Sequence, residues 1–282
     1  MKDLSSRVAI LTGASRGLGV YIARALASEG VHLALAARNE ERLNEVKAEL
    51  EGLGVRVVAV ATDICDLDQL RHLVARCESE LGPPDLLINN AGIENAAAYD
   101  AIPLDEIDRF IDVNLRAPMR LTRLVLPGMV ARNRGHIVNV CSLAGLAPAA
   151  FGEPYAATKH GMVGFTKSLR ASEQAAGSQV SATAISPGFI TDDGMYAQMQ
   201  HEGAAQSPTL LGTSPPSAVA NAVVRGIRNV LPHVVVNPGV PRLLFAVSLL
   251  FPRFAEWVSM RIGAHRVFQS LAERRGRGRK GV

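Results

Sequence analysis

The chain has 282 residues, 48% of them hydrophobic, and a formal net charge of +4. That length and composition support one sizeable core in a single α/β domain. Its three cysteines show no paired spacing and no zinc pattern with the seven histidines, which excludes a disulfide framework and a metal site. Cys65 and Cys77 read as small buried side chains. Residues 1–7 hold no apolar core of a signal peptide, so a cytoplasmic, reducing setting is expected. The charge is uneven. Seven basic residues against Glu273 give residues 261–282 a charge of +6, leaving −2 on residues 1–260.

In chain order, the first apolar run is 8–11. Thr12-Gly13-Ala14-Ser15-Arg16-Gly17-Leu18-Gly19 follows, and Leu18, Ile22, Ala25 and Leu26 recur at helical spacing. Three glycines therefore sit in a strand-to-helix turn. Glycine there permits a tight turn and a close approach to a pyrophosphate, whose charge suits the N–H groups opening a helix. A tight turn with no ligand is the alternative.

Further short runs occur at 31–36, 55–61, 86–89, 136–141, 180–185 and 233–236. Most are continuously apolar, as in parallel strands covered on both faces. Helical patterns begin near Leu18, Glu40, Asp66, Asp105, Tyr155 and Pro215. Asp66 with Gln69 reads as a capping box, and Ser214-Pro215 as an N-cap followed by a first-turn proline. The alternation implies a Rossmann-like, doubly wound α/β domain over 1–239 with a seven-stranded parallel sheet. Ligands should sit at the carboxyl ends of its strands. Residues 188–213 break the rhythm and form a candidate lid. Residues 240–282 form a C-terminal helical extension and basic tail.

Tyr155 and Lys159 stand four residues apart, on one face of a helix. A cation beside a phenol lowers the tyrosine pKa. Such a tyrosine can exchange a proton with a carbonyl or alcohol oxygen. A solvated helix face is the bland alternative.

With the glycine turn, Asp63, Asn89-Asn90-Ala91-Gly92, Asn114, Ser142, Tyr155-x-x-x-Lys159 and Pro187-Gly188 with Thr191, residues 5–237 resemble the short-chain dehydrogenase/reductase family. The resemblance implies an NAD(P)-dependent oxidoreductase that interconverts a ketone and a secondary alcohol. It makes Tyr155 the proton donor or acceptor and Ser142 the holder of the substrate oxygen. Lys159 would lower the tyrosine pKa and bind the nicotinamide ribose, and Asn114 would anchor a water linking Lys159 to solvent. It assigns cofactor contacts to Gly13, Ser15, Arg16, Gly17, Leu18 and Gly19. Asp63 and Ile64 would lie at the adenine, and Asn90, Ala91 and Gly92 on the adenosine side. Pro187, Gly188, Ile190 and Thr191 would lie at the nicotinamide and diphosphate. The run 31–36 ends without an acidic residue and leads into Arg38. Arg16 and Arg38 suit a 2′-phosphate, so NADP(H) is expected over NAD(H). The alternative is an Arg38 that merely faces solvent. Cys141 beside Ser142 reads as packing, and Glu94 as a loop carboxylate or a substrate contact.

The extension holds an apolar run, 243–251, too short to span a bilayer, continued by Phe254, Trp257, Val258 and Ile262. Burial in the protein or a homo-oligomer, a lid over a lipophilic substrate, and peripheral membrane contact through 240–266 are its three readings, in that order. Residues 274–280 read as a disordered tail. It lacks the aromatic platforms of a nucleic-acid binder. A lipophilic ketone (a steroid, retinoid or fatty-acyl compound) is the favoured substrate, and a homodimer or homotetramer the expected assembly. A 3-oxoacyl-carrier-protein reductase is the runner-up. An NADP(H)-binding regulator without turnover is the alternative of another class.

Overall fold

The computed structural model describes residues 2–208, 212–238, 250–263 and 265–278. Seven strands form one parallel sheet in the order β3-β2-β1-β4-β5-β6-β7. They are β1 (Val8–Thr12), β2 (His32–Ala37), β3 (Val57–Ala61), β4 (Leu86–Asn89), β5 (His136–Val140), β6 (Ser181–Pro187) and β7 (His233–Val236). The helices between them are α1 (Leu18–Ser28), α2 (Glu40–Glu51), α3 (Leu67–Glu80), α4 (Leu104–Ile111), α5 (Ala117–Ala131), α6 (Glu153–Ala175), α7 (Met195–His201) and α8 (Pro216–Arg228). A short π-helical turn, Asp112–Arg116, joins α4 to α5.

Both faces of the sheet are covered, which is why its strands are apolar without alternation. Ala9 and Leu11 of β1 pack with Ile22 and Leu26 of α1, Leu43 and Leu50 of α2, and Val219 and Val223 of α8. Val8 and Ile10 face the other way, against Leu70 and Leu73 of α3 and Leu121 and Val125 of α5. Strand order reverses between β1 and β4. The crossovers diverge there, and a crevice opens at the carboxyl ends.

One of the expected helix starts needs correction, and a second differs in one bond. Ser214 does not cap α8: Pro215 is the N-cap residue and Pro216 begins the helix. The backbone of Ser214 is spent elsewhere, its N–H on Phe189 O at 2.9 Å and its carbonyl on Thr191 N at 3.1 Å. Asp66 caps α3 as expected, accepting from Asp68 N and Gln69 N. The return bond of the capping box is different, because Gln69 Oε1 takes Asp63 N at 2.7 Å while Asp66 N donates to Asp63 O.

The candidate lid contains α7. The extension forms α9 (Pro252–Ile262) and α10 (Arg266–Gly278). Val267, Phe268 and Leu271 of α10 pack with Ala96, Met199 and Ala204. Ser270 Oγ accepts from Ala205 N at 2.8 Å. The tail is therefore helical through Gly278 rather than disordered from 274. Its preceding turns are anchored on the lid, so each further residue adds a bond to an existing helix without a new nucleation cost. Residues 239–249, which hold most of the apolar run, and residues 279–282 lie outside the described residues.

His136 opens β5 with 2% exposure and shares a 2.8 Å hydrogen bond between its Nε2 and Thr183 Oγ1. Burial lowers its pKa to about 3. The unfolded imidazole has an ordinary pKa near 6.5, so the unfolded chain takes up the proton first as pH falls. Stability present above about pH 6.5 should thus be lost toward about pH 3, at up to roughly 1.4 kcal/mol per pH unit. Thermal melting followed from about pH 7 to about pH 4 should show this fall, with a shallower slope in His136→Gln. Parallel slopes in the two proteins would contradict the assignment.

Candidate active site

The glycine turn is built by close approach. Gly13 and Gly17 have φ of 68° and 59°, the left-handed region. A Cβ on Gly19 would lie 2.0 Å from Gly13 O, so only glycine lets the turn close over α1. Gly17 is the N-cap of α1 and offers no side-chain bond. In the first turn Val20 N donates to Gly17 O at 3.1 Å, and the N–H groups of Leu18 and Gly19 are left for an anion. Asn90 ties the end of β4 to this turn, with Nδ2 donating to Thr12 O at 3.0 Å and Gly13 O at 3.2 Å. Thr12 Oγ1 accepts from Asn90 N and Ala91 N at 3.0 and 3.1 Å.

Tyr155 and Lys159 lie one turn apart near the start of α6, both buried, at 5% and 4% exposure. Lys159 Nζ is 5.6 Å from the Tyr155 ring centroid and donates to Val140 O at 3.0 Å. Ser142 caps the short turn Leu143–Gly145 after β5, accepting from Ala144 N at 3.1 Å, and its hydroxyl stands close enough to the Tyr155 phenol to oppose the rise in its pKa. Asn114 lies in the π-helical turn rather than in a regular helix. Its amide clamps Ile93, accepting from Ile93 N at 2.8 Å and donating to Ile93 O at 2.9 Å. A Cβ on Gly92 would meet Asn114 Oδ1 at 3.1 Å and Lys159 Nζ at 3.6 Å. The missing side chain at Gly92 thus leaves space between the amide and the ammonium.

The electrostatics differ from the expected lowering of the tyrosine pKa. Burial pushes the Tyr155 phenol well above its ordinary value, and the Glu94 carboxylate adds to this. The Ser142 hydroxyl opposes them. Lys159 cannot reverse the outcome. Its own pKa is lowered by burial, and its ammonium is directed at Val140 O. Tyr155 is accordingly held protonated, the form a proton donor needs. Cys141 is inert packing: burial raises its thiol pKa to about 12, and it donates to Asn139 O at 3.5 Å.

One continuous cleft of about 2020 Å³ runs from the glycine turn to the α7–α10 contact. Gly13, Ser15, Arg16, Gly17, Leu18, Arg38, Asp63, Ile64, Asn90, Ala91, Gly92, Ser142, Tyr155, Lys159, Pro187, Gly188 and Ile190 all border it. Gly19 and Asn114 act from behind the wall. Thr191 is not brought to it: its hydroxyl faces Asp192 Oδ2 at 3.1 Å and Ser214 O at 3.5 Å. Arg16 and Arg38 border the same end as the glycine turn, where the donor set suits a dinucleotide with a phosphorylated ribose.

Sequence reasoning missed Thr12 and Thr158. Thr158 Oγ1 donates to Tyr155 O at 2.7 Å and accepts from Asn114 Nδ2 at 3.3 Å, linking the tyrosine helix to the clamp. A hydroxyl inside a helical pattern gives no signal by itself. Glu94 borders the cleft close enough to shift both Tyr155 and Lys159.

The profile of the short chain dehydrogenase family matches residues 7–203. The ketoacyl reductase HetN of Nostoc sp. is 36% identical over 280 residues, spanning 98% of this chain and 96% of that protein. A D-beta-hydroxybutyrate dehydrogenase of Cupriavidus necator is 34% identical over 203 residues, 72% of this chain and 77% of its own. A crystal structure of a variant actinorhodin polyketide ketoreductase with NADPH superposes with a TM-score of 0.76 at 30% identity, covering 84% of this chain and 97% of that one. The matched segment carries the glycine turn, Ser142, Tyr155 and Lys159, and the chain belongs to the short chain dehydrogenase family, as an oxidoreductase acting on the CH–OH/C=O pair.

Proposed function

We propose that the protein is an NADPH-dependent reductase of a lipophilic ketone. The observation that carries this reading is a buried Tyr155 beside Ser142 and Lys159 in a cleft that begins at Arg16 and Arg38. NADPH would supply the hydride when bound. The glycine turn and the α1 N-terminus would hold its diphosphate, Arg16 and Arg38 its 2′-phosphate, and Lys159 its ribose. Ser142 and Tyr155 offer two donors to the substrate oxygen, which gains negative charge as its carbon is reduced. Tyr155 then gives that oxygen its proton, leaving a phenolate whose ring lies 5.6 Å from the Lys159 ammonium. Asn114 keeps Ile93, and with it the wall beside Tyr155, in place.

The far wall is apolar. Leu143, Leu146, Phe189, Tyr196, Met199 and Phe268 border it, which supports a greasy substrate closed in by α7 and α10. The extension 240–282 thus serves the substrate end of the domain 1–239. The ketoacyl reductases among the relatives favour a second reading, a 3-oxoacyl thioester on a carrier protein. A regulator without turnover has no use for a buried donor pair. Among the described residues no helix is long and apolar enough to cross a membrane. Met119 and Val130 leave an apolar edge exposed on α5, which supports a homo-oligomer.

Three outcomes test the reading. Tyr155→Phe should lower kcat for ketone reduction about 10²- to 10⁴-fold while NADPH affinity is kept. Because the phenol pKa is raised, the wild-type rate should hold as pH rises and decline only above the ordinary tyrosine value of about 10. A basic limb near neutrality would contradict the assignment. Fluorescence titration should show Arg16→Ala and Arg38→Ala each weakening NADPH by roughly 10- to 100-fold, with NADH affinity little changed. Equal losses for both cofactors would remove the phosphate site.

A further inference from the structure

The two helices of the extension end in different environments. α10 buries its apolar side against the lid. α9 does not bury its aromatic side: Phe254, Trp257 and Met260 are 52%, 55% and 60% exposed, and Phe251 just before it is 61% exposed. Phe254, Trp257 and Arg261 recur at i, i+3 and i+7, which places them on one stripe. The Phe254 and Trp257 rings stack with centroids 6.0 Å apart, and the Arg261 guanidinium lies 5.1 Å from the Trp257 ring centroid. A contiguous aromatic surface of this kind is unusual on a protein that meets only water.

Charge narrows what could cover it. Residues 250–282 carry eight basic residues against Glu256 and Glu273, while residues 1–249 carry a net −2. Aromatic side chains with arginines beside them suit the headgroup zone of an anionic bilayer. A second copy suits it less, because a two-fold contact would set Arg253 and Arg261 against their own counterparts. α9 has 11 residues, too few to span a bilayer but enough to lie in its surface. The same helix also borders the cleft, through Glu256, Val258 and Met260, beside His265 and Phe268.

We propose that α9 docks on the surface of an anionic lipid bilayer. Phe254 and Trp257 enter the headgroup layer, and Arg253 and Arg261 meet lipid phosphates. The mouth of the cleft then opens at the membrane, where a lipophilic ketone concentrates. This deepens the proposed function and rests on it for the substrate's origin, though the docking itself needs no turnover.

Trp257 is the only tryptophan of the chain, so its emission reports on this surface directly. The full-length protein would be titrated with phosphatidylglycerol–phosphatidylcholine vesicles and with phosphatidylcholine vesicles. The expected result is a blue shift, quenching by brominated acyl chains, and roughly tenfold or greater preference for the anionic vesicles that weakens with salt. The double variant Phe254→Glu/Arg261→Glu should lose co-sedimentation yet reduce a water-soluble ketone normally, since neither side chain borders the cleft. No wild-type binding would overturn the proposal. So would undiminished binding of the double variant, which would assign binding to other basic residues. A vesicle-free dimer that dissociates in the double variant would instead identify a second copy as the occupant, and would also overturn it. Vesicle binding without reduction of any ketone would support docking and sink the proposed function alone.

Discussion

Lys159 carries an ammonium group into the interior at 4% exposure, and the need to satisfy it organises the carboxyl end of the sheet. A buried charge is costly unless polar groups surround it. The Val140 carbonyl at the end of β5 receives one of its protons. Gly92 leaves space beside it that a side chain would fill, and Asn114 sets the edge of that space. The amide of Asn114 is in turn fixed by Ile93 and Thr158. The chain thus holds Tyr155 and Lys159 one helical turn apart against the ends of β4 and β5. The π-helical turn at Asp112–Arg116 fits this account: a local widening of the helix is a frequent way to aim one side chain at a site.

A second polar network lies beneath, where an apolar sandwich would not be expected to hold one. Asn89 Nδ2 donates to Asn139 Oδ1 at 2.8 Å, and Asn139 Nδ2 donates to Thr166 Oγ1 at 2.8 Å. These bonds join β4, β5 and α6. They fix the strand ends from which Asn90 and Ser142 emerge. Buried networks of this kind, here with Asn89 Oδ1 left unpaired, specify one arrangement of neighbouring elements. The precision of the cleft therefore comes from polar groups near the sheet centre, while most of the stability comes from the apolar layers outside them.

Much of this was legible in the residues. Near-continuous apolar runs marked most of the strands, because a parallel sheet covered on both faces leaves no polar side to alternate. Gly13, Gly17 and Gly19 announced the turn since no other residue fits it. What escaped reading were effects of three-dimensional company. The pKa of Tyr155 is set by burial and Glu94, which raise it, against Ser142, and the spacing to Lys159 showed none of these. Ser214 looked like a cap until its backbone was seen paired with Phe189 and Thr191. The arginine-rich stretch from Arg274 looked unstructured because its support, the packing of Val267 and Leu271 on α7, lies in another part of the chain.

The central claim is that this cleft moves a hydride to a carbonyl carbon and a proton from Tyr155 to its oxygen. Single turnover with NADPH dideuterated at the nicotinamide C4, followed by mass spectrometry of the alcohol, tests it most directly. The account predicts one deuterium on the carbinol carbon with the wild-type protein and almost none over the same interval with Tyr155→Phe. Tight NADPH binding with no deuterium in any ketone of a broad lipophilic panel would contradict it. Equal transfer by both proteins would contradict the role of the tyrosine.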